Sequence, residues 1–472
     1  MFYIYYVNLK GQSIQFWIVQ IGYLVLSALS IYFYQERLSS DTSYYFFKTL
    51  NTQWFHIEHD RYVLAIAELP VVILSNLNVP LKFIAMVFSV WHLLFFYIIG
   101  FITYRIDKNA NAWFVLLLSQ TIGIVYGFIG PIFEQFYGTA LAVLFYVLLR
   151  KYSVFNWPLR IFLMFLFAMV ILSHPFNAVL LAFMLAIDFT TFKSIKKYWP
   201  FVLLIPLYVL FKKLNASTYE NDKMNWIFDL EHNKTYQLLF QPEHLYLKAR
   251  FFWYYYKEVI LFFSITWCYF IWSKQYFKWI VFTLFFFATL LLINFCYNIE
   301  EYSGYYEQVY FLIVPIVVVP FVFEVWNAIK HKTVLLGFGL LSLIIFGYRM
   351  NQQVNYAKAF QQKRNLTAQW VEQAQYLPGC KFYIPYEYFK HNSQYVDWDM
   401  PYYSLLYSAM HEYPKQVTIF PMEDEPNKLV NTPENAYWFR GGELKKVSSL
   451  NPNYFKLCNS SYINLYKQKG KE

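Results

Sequence analysis

The sequence predicts an all-α polytopic membrane protein of about eleven transmembrane helices, followed by a small C-terminal α+β soluble domain. Three observations carry this expectation: an apolar excess, a series of apolar windows of spanning length, and a regular alternation of charge in the connections. Of 472 residues, 58% are hydrophobic and 14% charged, whereas soluble domains carry about 25% charged residues. One water-soluble core could not hide so much apolar surface, so the excess must face lipid. Aromatic residues reach 23%, and Tyr and Trp suit the headgroup interface, where one end of the ring is wet and the other apolar.

The windows, taken along the chain, are 14–34, 81–104, 112–130, 133–149, 158–173, 175–191, 198–211, 258–273, 277–297, 309–326 and 333–348. The first is too long for the apolar core of a cleaved signal peptide and lacks a small-residue cleavage site, so it reads as a signal anchor. The stretch 62–79 is interrupted by Glu68 and Pro70 and reads as a membrane-surface or re-entrant helix. Residues 1–348 thus form the membrane domain, with long outer loops at 35–80 and 212–257, and residues 349–472 form the soluble domain. In the tail, 355–375 reads as a helix, Pro378-Gly379 as a turn and Lys381–Pro385 as a strand. A helix at 402–411 and strands at 416–420 and 462–466 follow.

Loop charge sets the orientation. With Lys10 in the cytoplasm, the connections on that side carry Arg105 and Lys108; Arg150, Lys151 and Arg160; Lys193, Lys196 and Lys197; Lys274 and Lys278; and Lys330 and Lys332. The short connections on the other side are nearly free of basic residues, as the positive-inside rule requires. This expects a multi-pass integral membrane protein, in a bacterial inner membrane rather than the ER, with a cytoplasmic N-terminus and a periplasmic or lumenal C-terminus. The net charge of +10 then reflects topology, and no nucleic-acid partner is expected. Cys380 and Cys458 fall together in the tail, where an oxidising compartment would permit a disulfide.

Ionisable groups beside the membrane are the candidates for chemistry, because burying charge there is expensive. Asp41 follows the first span closely and also suits the N-cap of a helix over 42–50. Glu58 and Asp60 flank His59, with Arg61 beside them. Such carboxylates could hold a divalent metal, or one with a raised pKa could act as a general base, while Arg61 could pair with phosphate. Each of these also fits a solvated, charge-balanced loop. Glu134 and His174 sit at tight outer turns, and Glu301 lies in an outer connection. All eight residues come out on one membrane face, where a polar cavity would gather them.

On Asp41, the Glu58-His59-Asp60 stretch and, less directly, Glu134, the chain resembles the GT-C superfamily of membrane glycosyltransferases. The resemblance covers the general layout of the whole chain, from an inside N-terminus to a soluble outer tail, although the first outer loop, 35–80, holds no Asp-x-Asp. It implies transfer of a sugar from a polyprenyl-phosphate carrier in the membrane to an acceptor on the outer face. Asp41 would be the catalytic base, Glu58 and Asp60 would orient the acceptor or hold a metal, and Arg61 with outer-loop lysines would grip the lipid phosphate. Glu134 would be a further catalytic carboxylate, and His59, His174 and Glu301 would contact substrate. Two other readings stay open: a non-catalytic scaffold whose tail, 349–472, docks an envelope protein, and a transporter of a lipid-linked glycan.

Overall fold

In lipid, every backbone N–H and C=O must be satisfied within the protein, so apolar segments fold as helices. The computed structural model describes residues 14–152, 156–193, 195–215, 217–238, 240–297, 299, 304–396, 398–422, 429, 431–440 and 443–466. Lys10 and Glu301 therefore lie outside the described residues. The chain opens with α1 (Ile14–Tyr32), α2 (Asp41–Thr52), α3 (Leu64–Asn76), α4 (Leu81–Asp107), α5 (Asn111–Ser119) and α6 (Glu134–Lys151). Next come α7 (Trp157–Ile171), α8 (Pro175–Phe192), α9 (Ile195–Asn215), α10 (Thr218–Phe228), α11 (Lys234–Leu238) and α12 (Pro242–Trp272). The series ends with α13 (Tyr276–Tyr297), α14 (Tyr306–Tyr310), α15 (Ile313–Pro320), α16 (Lys332–Gln375) and α17 (Met400–Met410).

Among the described residues, α1, α4, α8, α13 and α16 are long and apolar enough to cross a membrane. A sixth span arises if the bent pair Ile195–Asn215 and Glu220–Phe228 crosses as one. The eleven expected windows exceed this number for identifiable reasons. The window at 112–130 breaks after Ser119, where the chain turns through Gly123 (φ +69°), a position at which a Cβ would lie 2.6 Å from the Tyr256 ring. The window at 309–326 divides into α14, α15 and a π-helical turn at Phe321–Trp326. The window at 258–273 is the end of the 31-residue α12, which kinks at Tyr256. The helices at 133–149 and 158–173 are shorter or more charged than a free-standing span: α6 carries Glu134, Arg150 and Lys151, and α7 has 15 residues.

The break after α5 is possible because side chains satisfy its backbone. Gln353 Nε2 donates to the carbonyls of Gln120 (3.2 Å) and Ile124 (2.7 Å). The buried Glu307 carboxylate accepts the N–H groups of Val125, Tyr126 and Gly127 at 2.7–2.8 Å. Irregular backbone is tolerated at membrane depth where protein covers it in this way.

Charge is segregated to the two ends of the helices. Glu324 pairs with Arg150 (2.8 Å) and Lys278 (2.6 Å), and Asp188 lies 3.5 Å from Lys197 and 3.9 Å from Arg150, so three of the basic connections meet in one network. Along α6, Glu134 and Arg150 are separated by 16 residues, about 24 Å at the α-helical rise.

The tail grows from α16, a continuous helix of 44 residues that includes residue 349. Strands β1 (Lys381–Pro385), β2 (Thr418–Met422), β3 (Ala436–Arg440), β4 (Glu443–Lys446) and β5 (Ile463–Asn464) follow. A parallel sheet runs in the order β2–β1–β5, and β3 pairs antiparallel with β4. Helix α17 packs on β2 and also reaches α2 and α4. Cys380 and Cys458, with Cα atoms 5.8 Å apart, form a disulfide across 78 residues.

Candidate functional site

The loop from α2 to α3 is built around consecutive left-handed residues. His59 (φ 53°) and Asp60 (φ 58°) both adopt a backbone region that non-glycine residues visit rarely. The Arg61 N–H closes this turn on the Glu58 carbonyl at 3.0 Å. Glu58 and Arg61 therefore line one cavity of about 260 Å³, while Asp60 is exposed and takes no part in its wall. Asp41, His59, Glu134 and His174 line the same cavity. Six of the eight sequence candidates thus surround one space; Asp60 does not, and Glu301 lies outside the described residues.

Asp41 occupies the first turn of α2, and the N-cap position expected for it belongs to Ser40 instead. Asp399, fully buried in the tail, binds that helix start: its Oδ2 accepts the Ser40 N–H (2.7 Å) and the Ser43 hydroxyl (3.0 Å). Lys363 of α16 holds the other Asp399 oxygen at 2.5 Å. The C-terminal region thereby fixes the helix that presents Asp41, and a carboxylate in a first turn suits the positive end of the helix dipole.

Glu58 is an anchored anion. It accepts hydrogen bonds from the Tyr44 (2.6 Å) and Tyr45 (3.3 Å) hydroxyls and lies 3.0 Å from His56 Nε2. Burial alone would raise its pKa, but the bonds from His56 and Tyr44 and the nearby imidazoles of His56 and His59 outweigh it, lowering the value to about 2. A carboxylate so strongly held is a weak proton acceptor, so the raised pKa considered for this pair does not occur at Glu58. Both of its oxygens are engaged. Among the described residues, no three His, Cys, Asp or Glu side chains come together as a metal-binding group.

Arg61 forms the far wall. Its Nη1 lies 3.0 Å from Glu134 Oε1, with both side chains largely buried. Burial disfavours the guanidinium charge, but Glu134 more than offsets this and keeps its pKa raised. Arg61 Nε is buried with no hydrogen-bond acceptor among the described residues, a donor that folding leaves unsatisfied. His174 caps α8: its Nδ1 accepts the Phe176 N–H at 3.2 Å. Burial, with Arg61 and Lys212 nearby, pushes its pKa well below the ordinary value. The ring is neutral, and its proton sits on Nε2.

Behind Arg61, His174 and Tyr297 lies a second space, an apolar groove of about 410 Å³ between α8, α9, α10 and α13. Those three residues line both spaces. Lys212 and Lys223 also line the groove, with Lys212 paired to Glu220 at 3.0 Å and 3.4 Å from the His59 carbonyl. The polar cavity has an aromatic side of Tyr44, Tyr45, Tyr305 and Trp398.

Sequence reasoning did not assign Tyr44, Tyr45, His56, Tyr297, Tyr305, Gln308 or Trp398. Tyr44 and Tyr45 stood next to Asp41, and their spacing of 14 and 13 residues from Glu58 gave no local cue to the contact. Comparison with protein families, curated proteins and solved structures found no match for this chain.

Proposed function

We propose that the protein is a GT-C-type membrane glycosyltransferase that moves a sugar from a polyprenyl-phosphate carrier to an acceptor hydroxyl on the outer face. The observation that carries this reading is the wall shared by the polar cavity and the apolar groove. A lipid-linked sugar has an isoprenoid tail, a phosphate and a sugar in that order. The groove suits the tail, the cavity suits the sugar, and Arg61 stands between them with a buried, unsatisfied N–H. Arg is the residue suited to phosphate at such a junction.

In this mechanism Asp41, at the exposed rim of the cavity, takes the proton of the acceptor hydroxyl. The acceptor oxygen bonds to the anomeric carbon as the bond from that carbon to the phosphate oxygen breaks. The electron pair leaves with polyprenyl phosphate, whose charge Arg61 stabilises and to which neutral His174 donates a hydrogen bond. Glu58 keeps Tyr44 and Tyr45 in place beside the sugar.

The same reading takes the shorter helices as further membrane crossings, to a total of eleven. It places the tail on the periplasmic side of a bacterial inner membrane, which suits the Cys380–Cys458 disulfide, a bond that persists in oxidising compartments. The test uses the full chain in nanodiscs. Polyprenyl phosphate is expected to raise its thermal midpoint well beyond ordinary phospholipid, and Arg61→Gln is expected to weaken that binding at least about tenfold. An equal response to both lipids, or an unchanged Arg61→Gln, would reject the assignment.

A further inference from the structure

At the end of the helices remote from the polar cavity, the C-terminal end of α8 faces the turn between α12 and α13 across a cavity of about 480 Å³. Its wall includes Thr190, Thr191, Lys193, Lys274, Gln275 and Lys278. Lys278 is neutralised by Glu324 at 2.6 Å. Lys193 and Lys274 are exposed, and among the described residues neither has a carboxylate within ion-pair distance. The cavity therefore holds two uncompensated positive charges beside hydroxyl and amide hydrogen-bonding groups.

Phe189 of this cavity also lines an adjoining apolar slot of about 420 Å³ between α8 and α9, walled by Leu185, Ala186, Trp199 and Val202. Exposed Trp199 lines the slot and exposed Tyr276 the cavity, and Trp and Tyr are the aromatic signature of headgroup depth. A basic, hydrogen-bonding cavity that shares its Phe189 wall with an apolar slot at this depth matches a phosphodiester headgroup joined to acyl chains.

We infer that Lys193 and Lys274 form a binding site for an anionic glycerophospholipid, with its headgroup between α8 and α13 and an acyl chain in the slot beside Ala186. Basic pockets between membrane helices bind such headgroups. The site goes beyond the transferase reading and does not depend on it, since neither lysine lines the polar cavity or the apolar groove, although the slot shares Ala182 and Ile205 with that groove. Its occupant bridges α8 and α13, two of the helices that wall the apolar groove.

The full chain, stripped of lipid in detergent, is titrated with phosphatidylglycerol or with phosphatidylcholine and followed by native mass spectrometry. Selective retention of phosphatidylglycerol is expected. The Lys193→Gln/Lys274→Gln double variant should hold it about 30-fold less tightly, from roughly fivefold for each lysine at an anionic surface. Both lysines are exposed, so the double variant should keep the thermal midpoint of the lipid-free parent. Ala186→Trp, which fills the slot without removing charge, should lose the lipid as well. Equal retention of the two lipids, or parent-like binding by the double variant, would overturn the site. So would glycerol phosphate competing as well as the intact lipid, which would mark a pocket for soluble phosphate. Polyprenyl phosphate binding, measured on the Lys193→Gln/Lys274→Gln variant, should be unchanged, so that this site and the transferase reading fail separately.

Discussion

Arg61 Nη1 and Glu134 Oε1 lie 3.0 Å apart at the partition between the polar cavity and the apolar groove. The α2–α3 loop and the start of α6 meet here through an ion pair with little access to water. Such a pair adds modest stability as a unit, but removing one partner strands the other. Glu134→Gln is expected to destabilise the protein by about 3 kcal/mol, read as a lower midpoint in chemical unfolding. Arg61→Met combined with Glu134→Met should recover most of that loss while abolishing polyprenyl phosphate binding.

Asp41 should separate chemistry from folding. It is exposed, in the first turn of α2, where exchange of a carboxylate for an amide costs about 0.3–1 kcal/mol of helix-dipole interaction. As the proposed base of the transfer, it would be worth about 10²–10⁴ in rate. Asp41→Asn is therefore expected to reduce kcat by that factor, with an unfolding midpoint close to the parent's. Parent-like transfer in this variant, with function lost on trimming the tail, would favour a scaffold.

The Glu58 carboxyl predicts an acid-range signature. Its folded pKa, about 2, lies below the ordinary carboxylate value of 4.5. The ionised form is thus favoured by folding, and its contribution is fully present above pH 4.5 and lost as pH falls towards 2. Thermal midpoints across this interval should fall less steeply for Glu58→Gln than for the parent, and the variant should already be less stable at neutral pH. Identical slopes would show that Tyr44, Tyr45 and His56 do not hold the ionised form.

The grouping of polar residues in the loop at 35–80 was legible because the apolar windows on either side fix where Asp41, Glu58 and Arg61 emerge. Glu134 and His174 were legible for the same reason, as polar side chains at tight turns. Trp398 and Gln308 were not, because their approach to Asp41 spans hundreds of residues and leaves no local pattern. Nor did hydropathy reveal the break at Ser119. An apolar run looks alike whether it continues as helix or turns, and what permits the turn is the amide of Gln353 and the carboxylate of Glu307, both remote in sequence. In the tail, the strand at Lys381–Pro385 appears at its expected bounds. The expected strands at 416–420 and 462–466 overlap β2 and β5, but their parallel pairing with β1 left no local pattern, since β2 is reached by a crossover through α17 and β5 only after β3 and β4.

Asp399 ties the C-terminal region to the site. Its two oxygens serve Lys363 and the start of α2, so its amide variant leaves the Lys363 ammonium buried beside a neutral group. Asp399→Asn is expected to cost about 3–5 kcal/mol, partly restored when Lys363→Met is added. Because α2 presents Asp41, the double variant should transfer more slowly than the parent even where it is folded. A double variant with parent-like kcat would show that this clamp serves stability alone.

The Cys380–Cys458 bond links the start of β1 to the segment before β5, closing 78 residues of chain around the small parallel sheet. In the chain-entropy account, a loop of that length restricts the unfolded tail by about 4 kcal/mol. The replacement Cys380→Ser/Cys458→Ser is therefore expected to unfold the tail at markedly lower denaturant, and a reducing agent should do the same to the parent but not to the variant. The helices should respond less, because α16 remains anchored to α12 by the buried Arg349–Glu258 pair and by Arg349 bonds to the Tyr254 (3.3 Å) and Tyr255 (2.8 Å) carbonyls. Tail-specific proteolysis with reductant present and absent reads this difference directly. Equal protection in both conditions would mean that packing of α17 on α2 and α4, rather than the cross-link, holds the domain together.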